Sequence, residues 1–523
     1  MSITGQKNQS LANGAKQATD LSPILLFAGI FTLAAASLPV LYLVRRATQI
    51  EGDLLRTVLF RAKTLEIFIT TLSLVLAVVV LATLLGAGIA WALSNVELPG
   101  SALLRALVIL PVAIPSYVFT YSWLSLGFLP NGFFAAVVVL TLTTTPYVTL
   151  AALAAFRRID GAQLDVAQTL GLNQFASFIR VTLPQIRNAL GAGSLIVALY
   201  VLSDFGAVSL LGVDTFTRAI QNTYQGSFDR SSAAILALIL VAISSLVISF
   251  EISFRQRSTT LKSSVRITKK IPVIHSTKSK VWALSAILLY ITVALITPLL
   301  VLLQRFLSRI TPIDFAELLI AALSTITVSF LGAFVAMVLA IPVALLAVRE
   351  TWIGTWSERA VLLVHALPGI VMGLALVSFG SEFPFIYQTT GLLAFAYSIL
   401  FLARSVGAVR TSLAKVPTNL TEIAATLGQT KSRIFYRVTL PLAAPGVFTG
   451  TLLVFLSAMK ELPATLMLRP TGFETLATEI WNNTAIFRFS EAAPYALLLV
   501  AIAAIPTFLI SRPDRDTERG ELQ

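Results

Sequence analysis

Three ionisable side chains stand inside otherwise apolar stretches of this sequence: Asp204 in SDFGAVSLLGVDTF, and Lys460 with Glu461 in AMKELPATLMLRP. A charge in the middle of such a run costs roughly 2.5–3.5 kcal/mol by insertion scales, so it is expected to face a path or a partner rather than hydrocarbon. Two carboxylates supply the oxygen ligands that hard cations prefer. Asp204, Glu461 and Lys460 are therefore the candidate translocation path. The competing reading has Lys460 neutralising Glu461 while Asp204 lines a wet outer vestibule. No resident metal is assigned. The chain has no cysteine, which excludes a disulfide, a thiolate site and an iron–sulfur cluster, and its two histidines, His275 and His365, are too few for a His-rich centre.

The elements that must hold these residues are membrane spans. Of 523 residues 56% are hydrophobic and 12% charged, against about one quarter charged in a soluble domain, and the mean hydropathy is +0.86. Twelve runs reach the roughly 20 residues needed to cross a bilayer: 23–45, 66–94, 102–128, 132–155, 188–212, 232–253, 281–304, 316–348, 358–380, 389–408, 444–468 and 492–511. The polar stretch 1–22 reads as a cytoplasmic tail without a cleavable signal peptide, and 512–523 as a second tail. Eight Lys/Arg crowd the stretch 254–280, a basic cytoplasmic linker between two units of six spans, 23–253 and 281–511. With both termini cytoplasmic, 26 Lys/Arg fall inside and 11 outside, as the positive-inside rule requires. One loop runs against the rule, because Arg45, Arg46, Arg56, Arg61 and Lys63 would lie outside. The net charge of +13 belongs to these loops rather than to nucleic-acid binding.

The two units are copies. A shift of 257 residues lays DVAQTLGLNQFASFIRVTLP (165–184) on EIAATLGQTKSRIFYRVTLP (422–441) with ten of twenty positions identical, and carries Leu110-Pro111 onto Leu367-Pro368 and Asp204 onto Glu461. An even number of spans per copy makes the copies parallel, related by an axis along the membrane normal. That axis would set Asp204 and Glu461 across from each other or flanking a path.

Between the fourth and fifth spans of each unit lies a polar segment of about thirty residues, expected to form a helix, a glycine break and a second helix. In the first, Asp160 caps a helix with Gln163 three residues on, and Gly171 takes the left-handed conformation that ends it. Gly428 does the same in the second. An amphipathic interfacial connector would look alike in one copy, but here it occurs twice at the same place.

These segments resemble the EAA loop of binding-protein-dependent ABC-importer permeases, in which an acidic residue, small residues, a glycine and a closing Leu-Pro recur. Asp165, Ala167, Gly171 and Pro184 match in the first copy, and Glu422, Ala424, Ala425, Gly428 and Pro441 in the second. Asp at 165 and Gln168 depart from the pattern. The resemblance implies an all-α polytopic protein with the type I ABC-importer permease fold, in the bacterial cytoplasmic membrane. It implies that these loops receive force from two copies of an ATP-binding cassette subunit, and that a periplasmic solute-binding protein delivers the load. The chain lacks the phosphate loop G-x-x-x-x-G-K-[ST], so it is expected to bind no cofactor and to be no enzyme, with ATP used by the partner. The stretches KELPATLMLRP with GFETLAT, and DFG with DTFTRAI, are similar to fused two-repeat iron(III) permeases. Alternatives are permeases for thiamine or a phosphonate, and a proton- or sodium-coupled secondary transporter using Asp204 and Glu461. Pro111, Pro115, Pro146, Pro342 and Pro368 are expected to kink helices, and Gly86, Gly88, Gly191 and Gly193 to allow close helix packing.

Overall fold

The computed structural model describes residues 23–49, 52–127, 130–226, 230–259, 275–348, 352–364 and 366–511. The two expected tails, most of the basic linker and His365 lie outside the described residues. Among those described, every regular element is helical. Nine helices are long and apolar enough to cross a membrane, or twelve spans if each of three bent pairs counts as one. Two of the bends fall where the sequence places proline. Ser101–Ala113 meets Ser116–Leu124 at 92°, and Trp352–Val364 meets Gly369–Gly380 at 96°. At each corner a proline, Pro115 or Pro368, is extended and immediately precedes the new helix. Proline has no N–H to continue the first helix and forces the preceding residue out of the helical region. Pro146 and Pro342 are absorbed inside Phe133–Phe156 and Phe315–Val348. The third pair, Thr390–Leu400 and Leu402–Ala414, bends by 56° at Phe401.

The fifth and eleventh spans stop short of the expected 188–212 and 444–468. Their helices, Leu183–Ser203 and Leu440–Met459, end at the ionisable residues, and short helices Gly206–Leu210 and Pro463–Leu468 follow. An acidic side chain caps the next helix better than it continues the last one.

Each half lends its first helix to the other. Pro23–Thr48 packs on Phe315–Val348, Trp352–Val364 and Gly369–Gly380, while Thr277–Ile291 and Thr297–Leu307 pack against the first half's Ala62–Asn95, Ser101–Ile109 and Ser116–Leu124. Polar contacts fix both exchanges: Thr32 Oγ1 donates to the Leu339 carbonyl at 3.1 Å, and Tyr290 Oη to that of Leu142 at 3.0 Å. In a bilayer, where apolar burial against a neighbour gains little over lipid, such hydrogen bonds and close packing hold helices together. The packing repeats across the pseudo-twofold axis. A Cβ on Gly193 would lie 3.2 Å from Cβ of Ala151, and one on the equivalent Gly450 2.5 Å from Cβ of Ala408, the equivalent of Ala151. Outward, Ala62–Asn95 and Phe315–Val348 expose Leu, Ile, Val and Phe along their length, the lipid-facing surface of a multi-pass membrane protein.

Two residues of the basic loop that ran against the charge rule are paired with acids nearby. Lys63 pairs with Asp214 at 2.7 Å and Arg45 with Glu382 at 3.1 Å. Leu211, just before Asp214, accepts a hydrogen bond from Gly132 at the start of Phe133–Phe156. That helix ends at the first coupling segment, so Lys63 sits at the opposite end of the molecule from the coupling loops. At the other end Glu97, in the loop after Asn95, receives Lys280 at 2.7 Å and His275 at 2.8 Å from the end of the linker that leads into the second half. Lys280 first, then His275, hold the Glu97 carboxyl down at about 2.

Candidate translocation path and coupling loops

The first coupling helix is Gly161–Thr169, capped by Asp160, whose side chain accepts from Ala162 N at 3.1 Å. Gln163 does not complete a capping box; its carbonyl oxygen is held by Gln185. The helix closes on Gly171 at φ 84°. Gly171 N donates to the Gln168 carbonyl and Leu172 N to that of Ala167, the two bonds of a Schellman motif. The second coupling helix, Thr418–Thr426, follows Pro417 with no side-chain cap and closes on Gly428 at φ 76° with the same two bonds, Gly428 N to Ala425 and Gln429 N to Ala424.

Each loop then runs through one wide turn, Phe178–Thr182 and Phe435–Thr439, at positions 257 apart. In both, the helix immediately after opens Leu-Pro, with Pro184 and Pro441 at its second residue. The proline ring clashes with the carbonyl four residues back, and a π-turn moves that carbonyl aside. Without that turn the loop helices would be kinked away from the spans that follow them.

The coupling helices share an outward apolar pair. Val166 and Leu170 are exposed in the first, and their equivalents Ile423 and Leu427 in the second. Toward the membrane the copies differ. Leu164 and Ala167 are buried in the first helix, whereas the second buries none of its described residues; Ala425 and Glu422 are exposed and Ala424 is half-buried. Asp165 is half-buried.

The spans following the loops end on the candidate path residues. Asp204 is buried and its Oδ1 accepts from Ala207 N at 3.0 Å and Val208 N at 3.3 Å. Glu461 does the same with Ala464 N at 3.1 Å, and Ala464 is the repeat equivalent of Ala207. One oxygen of each carboxylate is thus spent on starting a short helix. Lys460 does not pair with Glu461: its Nζ reaches into the first half and donates to the Val112 carbonyl at 2.8 Å, beside the 92° corner. That carbonyl is left without a helical partner by the corner, which gives the ammonium its acceptor. Gly369, at the matching corner, lies so close to Glu461 that a Cβ there would meet Oε1.

The structure adds a residue, Arg404, that the sequence reading did not single out within the span 389–408. Arg404 sits in the first turn of Leu402–Ala414, is exposed, and bonds to Ser457 while its guanidinium lies 5.3 Å over the Phe401 ring. Its electrostatic neighbours are Tyr147, Tyr200 and Glu461. Tyr147 is the repeat equivalent of Arg404, and Tyr200 that of Ser457; Tyr147 and Tyr200 rings contact at 5.7 Å. Two equivalent residues can be neighbours only near the axis that relates them, so Arg404 and Tyr147 mark the space between the halves. The signal in the sequence was the same 257-residue shift, applied to the fourth and fifth spans of each unit.

At the end away from the coupling loops, the halves close on a cavity of about 460 Å³. Phe205 and Trp481, one from each half, meet at 5.1 Å over it.

Duplicated six-span units, an axial space and a pair of glycine-closed loop helices at equivalent positions define a two-repeat transport permease. The family described as the binding-protein-dependent transport system inner membrane component matches residues 82–257 and again 332–512, and the chain belongs to that family. It is a multi-pass membrane protein and the permease subunit of an ABC importer. It is 34% identical over 481 residues, 91% of this chain and 95% of the relative, to an Fe(3+)-transport system permease protein of Haemophilus influenzae. Part of it is similar to a 2-aminoethylphosphonate transport permease of Salmonella typhimurium, 28% identical over 37% of this chain and 73% of the relative. Another partial match is a molybdenum transport permease of Escherichia coli, 34% identical over 28% of this chain and 69% of the relative.

Proposed function

We propose that this permease imports iron(III), delivered by a periplasmic binding protein to the end that carries Asp214 and Glu382 and released at the end that carries the coupling loops. The units 23–253 and 281–511 are the two halves, joined on the cytoplasmic side by the linker 254–280, with both termini cytoplasmic. Two ATP-binding cassette subunits seat the helices Gly161–Thr169 and Thr418–Thr426, hydrolyse the ATP and move the halves; this chain binds no cofactor itself. The observation that carries the coupling role is the exposed pair, Val166 with Leu170 and Ile423 with Leu427, at equivalent positions of two glycine-closed helices. Exposed apolar side chains outside the bilayer mark a docking surface, and a closed, rigid helix transmits displacement where a frayed one absorbs it. Support for iron comes from the similarity that runs along both halves to an iron(III) permease, whereas the phosphonate and molybdenum relatives match less than half of the chain.

The test is reconstitution in proteoliposomes with the cognate ATPase and binding protein. ATP-dependent uptake of ⁵⁵Fe(III) is expected, and uptake of an organic solute in its place would overturn the iron assignment. Iron uptake by the chain alone, driven by a proton or sodium gradient, would overturn the coupling role.

A further inference from the structure

We infer that the loop between the first two spans binds an anionic phospholipid of the leaflet at the end away from the coupling loops. Arg56 and Arg61 hold the headgroup phosphate, and Leu59 and Phe60 sit among the upper acyl carbons. The loop runs against the positive-inside rule, and pairing within the protein accounts for only part of its charge. Arg45 and Lys63 meet Glu382 and Asp214, and Arg46 donates to Gln49 at 3.2 Å. Arg56 and Arg61 are exposed, and among the described residues neither is in an ion pair. A guanidinium fork left open in this way matches the oxygens of a phosphate.

Their surroundings place both arginines at the bilayer surface. They flank Leu59 and Phe60, which are 39% and 85% exposed. Arg56 belongs to the short helix Gly52–Leu59, and its carbonyl accepts from Phe60 N at 2.9 Å, which sets Phe60 one turn beyond it. Arg61 immediately precedes Ala62–Asn95 and stands one turn before Leu65, the first of an exposed stripe that continues through Ile69, Leu72, Leu76 and Val80. That stripe is the lipid-facing side of the span. A turn rises about 5.4 Å, so the guanidinium falls at headgroup level above it. Arginine beside an exposed aromatic ring at this depth is the arrangement by which interfacial segments hold anionic lipid. The acidic face of a soluble partner would answer the charge, but it would leave Phe60 and the continuity with the lipid-facing stripe unused. The matching loop of the second half, 308–314, is shorter and carries one arginine, Arg309, which folds back on the Pro312 carbonyl at 3.0 Å. The lipid site therefore belongs to the first crossover alone, where the chain passes from a helix packed on the second half into the first half's own spans.

The test is native mass spectrometry of the purified importer, exchanged into detergent with equal amounts of palmitoyl-oleoyl phosphatidylglycerol and phosphatidylcholine. The wild type is expected to retain phosphatidylglycerol in preference. An arginine near an anionic surface contributes roughly fivefold, so Arg56→Gln with Arg61→Gln should lower the retained amount at least about tenfold. Arg56→Lys with Arg61→Lys should keep most of it, Phe60→Ser should weaken it, and Arg309→Gln should leave it unchanged. All these variants should melt with the wild type in lipid-free detergent, and an excess of inorganic phosphate should not displace the lipid. Equal retention by the wild type and the glutamine pair, or displacement by phosphate, would overturn the inference. Unchanged lipid retention with a loss of affinity for the binding protein would overturn it too, and would assign the arginines to that partner.

Discussion

The two halves share a backbone and differ in what they present. At equivalent points the first half offers Tyr147, Tyr200 and Ser203 to the axis where the second offers Arg404, Ser457 and Lys460. The first coupling helix is packed against its own half through Leu164 and Ala167, and the second stands free of such burial. Duplication thus preserved what geometry demands, the left-handed glycine, the wide turn before Leu-Pro and the acidic cap. It released what only one copy needs to carry. The cations nearest the axis, Arg404 and Lys460, belong to one half, and so does the loop helix with the more exposed face.

That contrast can be broken most strongly where the halves are alike. Gly171 and Gly428 both hold φ near 80°, where a residue with a Cβ costs about 1–2 kcal/mol and a β-branched one more. Gly171→Val with Gly428→Val should uncouple the importer: ATP-dependent uptake in proteoliposomes is expected to fall more than about tenfold while basal ATP hydrolysis continues. Tight coupling in the double variant would remove these glycines from the transmission.

The docking surfaces should separate next. Ile423→Ser with Leu427→Ser is expected to strip the ATPase subunit from the purified complex more completely than Val166→Ser with Leu170→Ser. The second helix also exposes Leu420, where the first has Gln163 tied to Gln185. Quantitative co-purification checks this, and equal losses would mean that the difference in packing between the copies does not reach the partner.

Helix packing gives a smaller asymmetry. Gly450→Leu must displace Ala408, whose Cβ is 2.5 Å from the new atom, whereas Gly193→Leu first meets Val148 Cα at 3.1 Å. Overpacking costs about 1–3 kcal/mol, so both should lower the melting temperature in detergent, Gly450→Leu by more. The smallest effect concerns the tie between the halves at Glu97. Its carboxyl is held at about 2, below the ordinary value of 4.5, by Lys280 and His275. A depressed folded-state pKa contributes stability that is present above the unfolded value and lost as pH falls toward the folded one. Glu97→Gln should therefore melt slightly below the wild type at pH 6, and the gap should close between about pH 4.5 and 2. A gap that persists at pH 2 would show that the ion pairs are not its source.

The sequence by itself determined the class and the repeat, because apolar run length and the 257-residue register are properties of the chain in order. It also determined the ends of the coupling helices, since a left-handed residue calls for glycine and a proline fixes where the next helix opens. The spans that stop at Asp204 and Glu461 were extended too far from hydropathy alone, because apolar residues continue in the short helices that follow. Only the tertiary structure showed that each half's first helix packs on the other, that Lys460 answers the Val112 carbonyl rather than Glu461, and that Arg404 faces Tyr147. Those depend on distances between residues far apart in the chain, set by corners of 92° and 96° that local pattern marks with proline but does not aim.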